Sequence, residues 1–128
     1  MLEGITFGLR DSLELMKESS VEISELRVNG GGARSSFWRQ MIADIFGYPV
    51  VTVNSTDGPA YGAAVMAASG VLGRDISSLC EEWIRVESRT EPNPENSARY
   101  EAYYKLYRSL YPTLRDSFHQ LSALAIQQ

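Results

Sequence analysis

Cysteine and histidine, two residue types common in metal and nucleophile sites, are scarce in this chain. It has one cysteine, Cys80, and one histidine, His119. A single cysteine excludes an intramolecular disulfide, which suits a reducing compartment. No pair of His, Cys or carboxylate residues has metal-ligand spacing, so we predict no metal ligand here. His119 lies late in a predicted helix, and no Ser–His–Asp set can be assembled around it.

Long apolar runs and basic clusters are also missing. No stretch approaches the roughly 20 apolar residues that a membrane-spanning helix needs. The opening MLEG starts no signal peptide, because no basic segment precedes an apolar run. The net charge is −4, from 12 basic and 16 acidic residues, and no basic face for nucleic acid is indicated. We therefore expect a soluble, cytoplasmic protein with neither nucleic acid nor a membrane as partner.

The residues that are present alternate between helical and strand patterns. The 128 residues fit one domain, and 44% of them are hydrophobic. Strand–helix–strand units favour a parallel pair of strands with a right-handed crossover, so the predicted fold class is α/β with a short parallel sheet flanked by helices. The predicted helices are 3–18, 36–46, 59–69, 75–82 and one from Pro94 that Pro112 kinks or breaks. The predicted strands are 25–29 and 50–53, and 84–94 is irregular or a short edge strand.

Three consecutive glycines, Gly30 to Gly32, lie where the first strand meets the second helix. Glycine lets the backbone adopt positive φ and approach a ligand closely, and the following helix start exposes unpaired N–H groups. These features suit an anionic or polar ligand such as a nucleotide. A tight turn is the alternative, although it needs fewer glycines. Arg34 and Arg39 could meet a phosphate there, whereas Arg39 on a helix could equally be solvated or paired.

This glycine run matches neither of the two standard phosphate-binding loops. The G-x-x-x-x-G-K-[ST] pattern is absent from the chain. In the G-x-G-x-x-G pattern, Gly30 and Gly32 fit, but Ser35 stands at the third glycine. The acidic residue expected after the next strand is also missing, because Asn54 follows Val53. A Rossmann-type domain that prefers NAD is therefore the weaker alternative.

A second segment, DGPAYGAA at 57–64, combines a helix start with small residues. Pro59 suits the first helical position, and Asp57 is better placed as a helix N-cap than as a catalytic group. Gly62 costs a helix about 1 kcal/mol relative to Ala, so the cluster suggests a tight crossing with another helix. A row of tyrosines in the last helix indicates core or interface packing; it comprises Tyr100, Tyr103, Tyr104, Tyr107 and Tyr111.

At proper spacing, these segments resemble a known family. GGGARS at 30–35 and WRQMIAD at 38–44 resemble the adenosine motif and next helix of the FGGY carbohydrate kinases. PVV at 49–51 and the segment 57–64 are similar to the strand and hinge-side helix that follow, and MLEG to the tail of the family signature. Within the family, GGGARS…WRQ and GPAYGAA resemble the xylulose kinases. Asp57 and Tyr61 depart from the commoner Glu and Leu.

The resemblance implies a fragment of the C-terminal lobe of an actin-like, hexokinase-like (ribonuclease H-like) ATPase. Such kinases have two lobes, and the helix of Gly62 would lie near the hinge between them. The implied cofactors are ATP and Mg²⁺, and the implied reaction is attack of a hydroxyl of D-xylulose on the γ-phosphate. The residues implied to lie at or near the nucleotide are Gly30, Gly31, Gly32, Ala33, Ser35 and Ser36.

The family's catalytic aspartate and first phosphate motif match no position of this chain, so we predict no catalytic residue and no activity of the chain alone. We expect one lobe fragment over 1–128, with a nucleotide-binding α/β core at 1–73 and a mostly helical extension at 74–128. An expressed fragment or a truncated gene product would explain it, and the sugar would bind through the missing lobe. The alternatives are another FGGY kinase, acting on gluconate, ribulose or glycerol, and a non-catalytic interaction fragment that forms a homodimer.

Overall fold

The computed structural model of this chain describes residues 1–55 and 58–126. The predicted bounds of the second helix and second strand are confirmed, whereas the first strand is shorter than predicted. The helices are α1 (Leu2–Glu18), α2 (Ser36–Phe46), α3 (Gly58–Leu72), α4 (Ile76–Trp83) and α5 (Pro94–Ile126). The strands are β1 (Leu26–Arg27), β2 (Val50–Val53) and β3 (Val86–Thr90), and a 3₁₀ turn spans Gly31–Arg34.

The strands form a mixed sheet in the order β1-β2-β3. β1 pairs with β2 in parallel, with Leu26 opposite Val50, which confirms the predicted parallel pair. β3 pairs with β2 in the antiparallel sense, so the sheet is mixed, and the segment 84–94, predicted to be irregular or a short edge strand, supplies the edge strand β3. α3 and α4 stand between β2 and β3 in the chain, and they return it to the end of β2, where the Asn54 N–H donates to the Arg85 carbonyl at 3.0 Å, so β3 runs back along β2. Val50 is fully buried at the centre of the sheet.

The core lies between α1, α2 and α5. Phe7 of α1, Met41 and Ile45 of α2, and Tyr104 of α5 form its buried cluster. The ring of Phe7 contacts three tyrosine rings of α5 at centroid distances of 5.5 to 6.1 Å. The interpretation of the tyrosine row as core packing is thus confirmed for three members, Tyr100, Tyr104 and Tyr107, whereas Tyr103 and Tyr111 are exposed.

A buried carboxylate joins α2 to the start of α5. Asp44 is 3% exposed, and its two oxygens accept hydrogen bonds from three donors. Asp44 Oδ1 accepts from Gln40 Nε2 at 2.8 Å and from the Asn93 backbone N–H at 2.7 Å. Asp44 Oδ2 accepts from Asn96 Nδ2 at 3.0 Å. The aspartate of the WRQMIAD motif therefore links α2 to the start of α5 by hydrogen bonds.

The ends of α2 are confirmed, whereas α3 continues past its predicted end at residue 69 to Leu72. Ser35 caps α2 by accepting from the Trp38 backbone N–H, and Gly47 ends that helix in the left-handed conformation at φ +72°. Asp75 caps α4 through the Ser78 backbone N–H. The side chain of Asn93 caps α5, where Pro94 takes the first helical position.

Pro112 does not break the last helix, contrary to one of the two predicted outcomes. α5 continues through it for 33 residues in all. Proline removes one backbone donor and crowds the preceding turn. In the same turn, the hydroxyl of Thr113 donates to the Ser109 carbonyl at 2.8 Å. Neither α5 nor any other helix of the described residues is long and apolar enough to cross a membrane.

The small residues of α3 do not form the predicted tight helix crossing within the described residues. A Cβ built on Gly62 would meet no atom within 4 Å. Val65 is the buried residue of this helix, and most of its alanines are exposed. α3 contacts α4 instead through Tyr61, whose hydroxyl donates to the Trp83 carbonyl at 2.9 Å. The larger tyrosine side chain therefore serves as a bridge between helices.

Candidate nucleotide site at the glycine turn

The glycine turn begins where β1 ends and continues into α2. Gly30 has φ +86°, a backbone conformation that residues with a side chain rarely adopt, so the turn requires glycine there. The side chain of Asn29 accepts from the Gly30 N–H at 2.6 Å. Within the turn, the N–H of Ala33 donates to the Gly30 carbonyl, and that of Ser35 to the Gly32 carbonyl. Strand, turn and helix thus form one continuous scaffold.

A polar cleft of about 140 Å³ lies beside this turn. The turn contributes Gly30 and Ala33 to it, and the carboxyl end of β2 contributes the neighbouring wall. The carboxyl ends of adjacent parallel strands are the usual place for ligands in α/β folds. The lining residues are Val28, Asn29, Gly30, Ala33, Arg34, Arg39, Thr52, Val53, Ser55 and Glu87.

Two buried polar atoms in this cleft have no partner among the described residues. They are Arg39 Nε and Ser55 Oγ. Arg39 uses another nitrogen, Nη1, to donate to the Ala33 carbonyl at 2.6 Å. The guanidinium is therefore fixed against the turn and keeps a free donor. Buried polar groups normally find a partner, so these two atoms leave unused hydrogen-bonding capacity in the wall of the cleft.

An apolar pocket of about 380 Å³ adjoins the cleft. The two cavities share Asn29, Val53 and Ser55 as lining residues. Beyond these, the pocket is enclosed mainly by α3 and α4, including Val65 and Cys80. A polar cleft that continues into an apolar pocket offers a place for both an anionic and a flat apolar group of one ligand.

The six predicted site residues occupy different positions relative to the cleft. Gly30 and Ala33 line the cleft, whereas the other four are not among its lining residues. Gly31 is exposed, with open space where a Cβ would be. Gly32 lies under the ring of Trp38. Ser35 uses its hydroxyl oxygen to cap α2, and Ser36 is the exposed first residue of that helix.

Sequence reasoning missed several cleft residues. Asn29 and Thr52 could have been found, because each lies at or near the carboxyl end of one of two strands predicted to be adjacent and parallel. Ser55 follows the second strand in the same way. Glu87 could not, because it comes from β3, whose pairing the sequence left undecided. The proposed N-cap role of Asp57 lies outside the described residues.

The first 71 residues match the model of a known family, described as the FGGY family of carbohydrate kinases, C-terminal domain. That match covers the glycine turn, α2, β2 and most of α3. The chain belongs to the FGGY family of carbohydrate kinases. The resemblance predicted from the two motifs is therefore confirmed.

Individual relatives agree with this FGGY assignment. Over 103 residues the chain is 42% identical to a xylulose kinase of Staphylococcus epidermidis, covering 79% of this chain and 21% of that protein. It is 35% identical over 101 residues to a glycerol kinase of Citrifermentans bemidjiense, covering 78% and 20%. The crystal structure of a ligand-bound xylulose kinase from Lactobacillus acidophilus superposes with a TM-score of 0.84 at 26% identity, covering 94% and 24%.

These comparisons also confirm the fold class as part of an FGGY kinase lobe. The chain spans about a fifth of the length of the curated relatives that it matches. A small mixed sheet flanked by helices is what a piece of a larger α/β lobe leaves. Among the described residues, no group of three or more His, Cys, Asp or Glu side chains could hold a metal ion.

Proposed function

We propose that this chain is the nucleotide-binding part of an ATP-dependent sugar kinase. The observation that carries the proposal is the polar cleft at Gly30 and Ala33, which continues into an apolar pocket. Phosphates would lie by the turn and the start of α2, where backbone N–H groups and the free donor of Arg39 favour negative charge. The adenosine would extend along the shared wall at Asn29 and Ser55.

The six residues predicted from the family motif would have distinct roles in this site. Gly30 and Ala33 would contact the nucleotide through their backbone, since they line the cleft. Gly31 keeps the approach open, because it carries no side chain in exposed space. The remaining three, Gly32, Ser35 and Ser36, would shape the turn and the helix start beneath the ligand.

The whole kinase would phosphorylate D-xylulose to D-xylulose 5-phosphate, in the cytoplasm. Support comes from relatives named xylulose kinase, while a relative named glycerol kinase keeps other acceptors, including gluconate and ribulose, as alternatives. Mg²⁺ would arrive with the triphosphate, where it neutralises phosphate charge. The described residues of this chain would hold the nucleotide. The sugar site, and the base that takes the proton of the attacking sugar hydroxyl, would lie in parts of the kinase outside this chain.

The nucleotide site is tested by calorimetric titration of the chain with Mg·ATP, ADP and NAD. We expect ATP and ADP to bind in preference to NAD, and Gly31→Val to weaken both by filling the open approach. Gly70→Val is the matched control, because Gly70 also faces open space but lies on α3 away from the turn. Equal affinities of the Gly31→Val variant and the wild-type chain would refute the assignment.

Because the acceptor would bind outside this chain, the xylulose kinase assignment is tested through compatibility, with chimeras in which this chain replaces the matched region of a xylulose kinase or a glycerol kinase. We expect the xylulose kinase chimera to phosphorylate D-xylulose and to lose that activity with Gly31→Val. A glycerol kinase chimera of equal efficiency would remove the support for xylulose. The predicted division assigns nucleotide binding to a core at 1–73 and leaves 74–128 as an extension. The extension also contributes Ile76, Cys80, Ile84 and Glu87 to the walls of the two cavities.

A second candidate function is non-catalytic self-association, favoured by the exposed apolar stripe of α5. Every residue from Arg108 to Ala125 is exposed. Sedimentation without nucleotide would show a homodimer that Phe118→Ser dissociates, whereas His119→Ser, one position along, would leave it intact. A monomer at all concentrations would exclude this function. The stripe comprises Leu106, Leu110, Tyr111, Leu114, Phe118, Leu121 and Leu124.

A further inference from the structure

A fully buried threonine of α1 stands behind the glycine turn. Thr6 is 0% exposed, and its hydroxyl donates to the Leu2 carbonyl at 2.8 Å. The same oxygen accepts from the indole N–H of Trp38, with 3.2 Å between Thr6 Oγ1 and Trp38 Nε1. Burying a hydroxyl is costly unless it is hydrogen-bonded, and valine would fill nearly the same volume. The hydrogen bonds of the hydroxyl group, and not the volume of the side chain, therefore favour threonine over valine at this position.

The indole that Thr6 holds is in direct contact with the glycine turn. A Cβ built on Gly32 would overlap the six-membered ring of Trp38, so ring and turn are packed without a gap. At its other end, the Trp38 backbone N–H donates to Ser35 Oγ at 3.3 Å. Trp38 is thus held by hydrogen bonds at its backbone N–H and at its ring nitrogen, and its six-membered ring packs against Gly32. A shift of the ring would be passed directly to the turn.

We infer that Thr6 is a positioning residue for nucleotide binding, which acts through Trp38 to set the backbone of the glycine turn. The inference rests on the proposed nucleotide site. It extends that site to α1, a helix that contributes no residue to the cleft or to the adjoining pocket. The hydroxyl keeps the indole in one place, and the indole keeps Gly32 and its neighbours ready for the ligand before it binds.

The test is a double-mutant cycle on ADP affinity with Thr6→Val and Trp38→Phe. Loss of one hydrogen bond should weaken ADP binding about three- to ten-fold in Thr6→Val. Thr6→Ser keeps the hydroxyl and should restore affinity to within about two-fold of wild type. In the Trp38→Phe background, which has no indole N–H, Thr6→Val should have no further effect. Equal effects of Thr6→Val in both backgrounds would overturn the inference.

Thr113→Val is the matched control. The Thr113 hydroxyl, like that of Thr6, donates to the carbonyl four residues earlier at 2.8 Å, but it lies on the exposed part of α5. This variant should bind ADP as the wild type does. A similar loss in Thr113→Val would show that the Thr6 effect comes from helix stability alone, and would overturn the inference.

Amide hydrogen exchange separates failure of this inference from failure of the proposed function. The N–H groups of Ala33 and Ser35 are hydrogen-bonded within the turn, and their exchange reports its order without any nucleotide. We expect faster exchange there in Thr6→Val, and wild-type exchange in Thr6→Ser and Thr113→Val. If the wild-type chain binds no ADP, the proposed function of this chain fails. The positioning role of Thr6 is then judged from the exchange rates alone. Unchanged exchange in Thr6→Val would then overturn the positioning role.

Discussion

Gly58, at the start of α3, lies directly against the side chain of Asn29 at the end of β1. A Cβ built on Gly58 would come within 2.7 Å of Asn29 Nδ2. The other end of the same amide accepts from the Gly30 N–H at 2.6 Å. The glycine turn and the helix of the second family motif therefore meet through one side chain. Residues far apart in the sequence are coupled at the wall that the cleft and the apolar pocket share.

This contact predicts a specific effect of Gly58→Ala. The new methyl group would displace the Asn29 amide and break its hydrogen bond to Gly30, so ADP affinity should fall about two- to ten-fold. Gly70→Ala is the control, because its methyl group meets open space inside the same helix and Gly70 lines neither cavity. It should raise the free energy of unfolding by up to about 1 kcal/mol without changing affinity. Titration calorimetry and urea unfolding measure the two quantities, and wild-type affinity in Gly58→Ala would contradict the prediction.

Substitution by alanine should change the free energy of unfolding at one of two adjacent glycines of the turn and leave it nearly unchanged at the other. Gly32→Ala places a methyl group where the Trp38 ring lies, so it should lower the free energy of unfolding by about 1 to 3 kcal/mol. Gly31→Ala meets no atom within 4 Å and should change stability by less than about 0.5 kcal/mol. Urea unfolding of both variants is the measurement. Equal losses would mean that the ring does not pack on Gly32.

Local signals made much of the fold predictable. The N-caps at Ser35, Asp75 and Asn93 are short-range hydrogen bonds made by residue types that favour this position. The parallel pairing of β1 and β2 followed from the strand–helix–strand order. The course of β3 was not predictable, because its exposed and half-buried residues carry no clear hydrophobic alternation. Continuation of α5 through Pro112 was likewise not predictable, because a proline within a helix allows either a kink or a break.

The candidate site was predicted only in its first element. The glycines marked the turn, because positive φ at Gly30 is a backbone requirement visible in the sequence. Sequence alone could not separate Gly30, which lines the cleft, from Gly32, which serves packing against Trp38. The free donor of Arg39 and the contact between Asn29 and Gly58 are tertiary features. They arise from segments that meet only in the folded chain.

The buried carboxylate of Asp44 should be the most sensitive polar group outside the site. Asp44→Asn keeps the shape but replaces one carboxylate oxygen with an N–H₂ group, which then faces either the Asn96 donor or the donors of Gln40 and Asn93. We expect a loss of about 1 to 3 kcal/mol in the free energy of unfolding. Asp116→Asn, the same change at an exposed position of α5, should stay within about 0.5 kcal/mol of wild type. A small loss in Asp44→Asn would mean that α2 and the start of α5 are joined mainly by apolar contacts.

The packing of α5 on α1 should be visible in the titration of Tyr104. Burial raises the pKa of Tyr104 to about 12, and the hydrogen bond from its hydroxyl to Asp11 Oδ1 at 2.6 Å acts in the same direction. The unfolded chain ionises this tyrosine near its ordinary value of 10. Its contribution to stability is therefore complete below pH 10. Between pH 10 and about 12 the unfolded state loses its proton first, so this contribution should fall by about 1.4 kcal/mol per pH unit.

Phenolate absorbance, compared between the wild-type chain and Tyr104→Phe, isolates the titration of this one tyrosine among seven. The difference should develop near pH 12 in the folded chain. Asp11→Asn is the informative control, since removing the carboxylate takes away one cause of the raised pKa while leaving the ring buried against Phe7. The difference signal in that background should move to lower pH, yet stay above 10 because burial still opposes the charge. A signal centred at the ordinary value in the wild-type chain would mean that α5 does not bury Tyr104 against α1, and the core described above would need another arrangement.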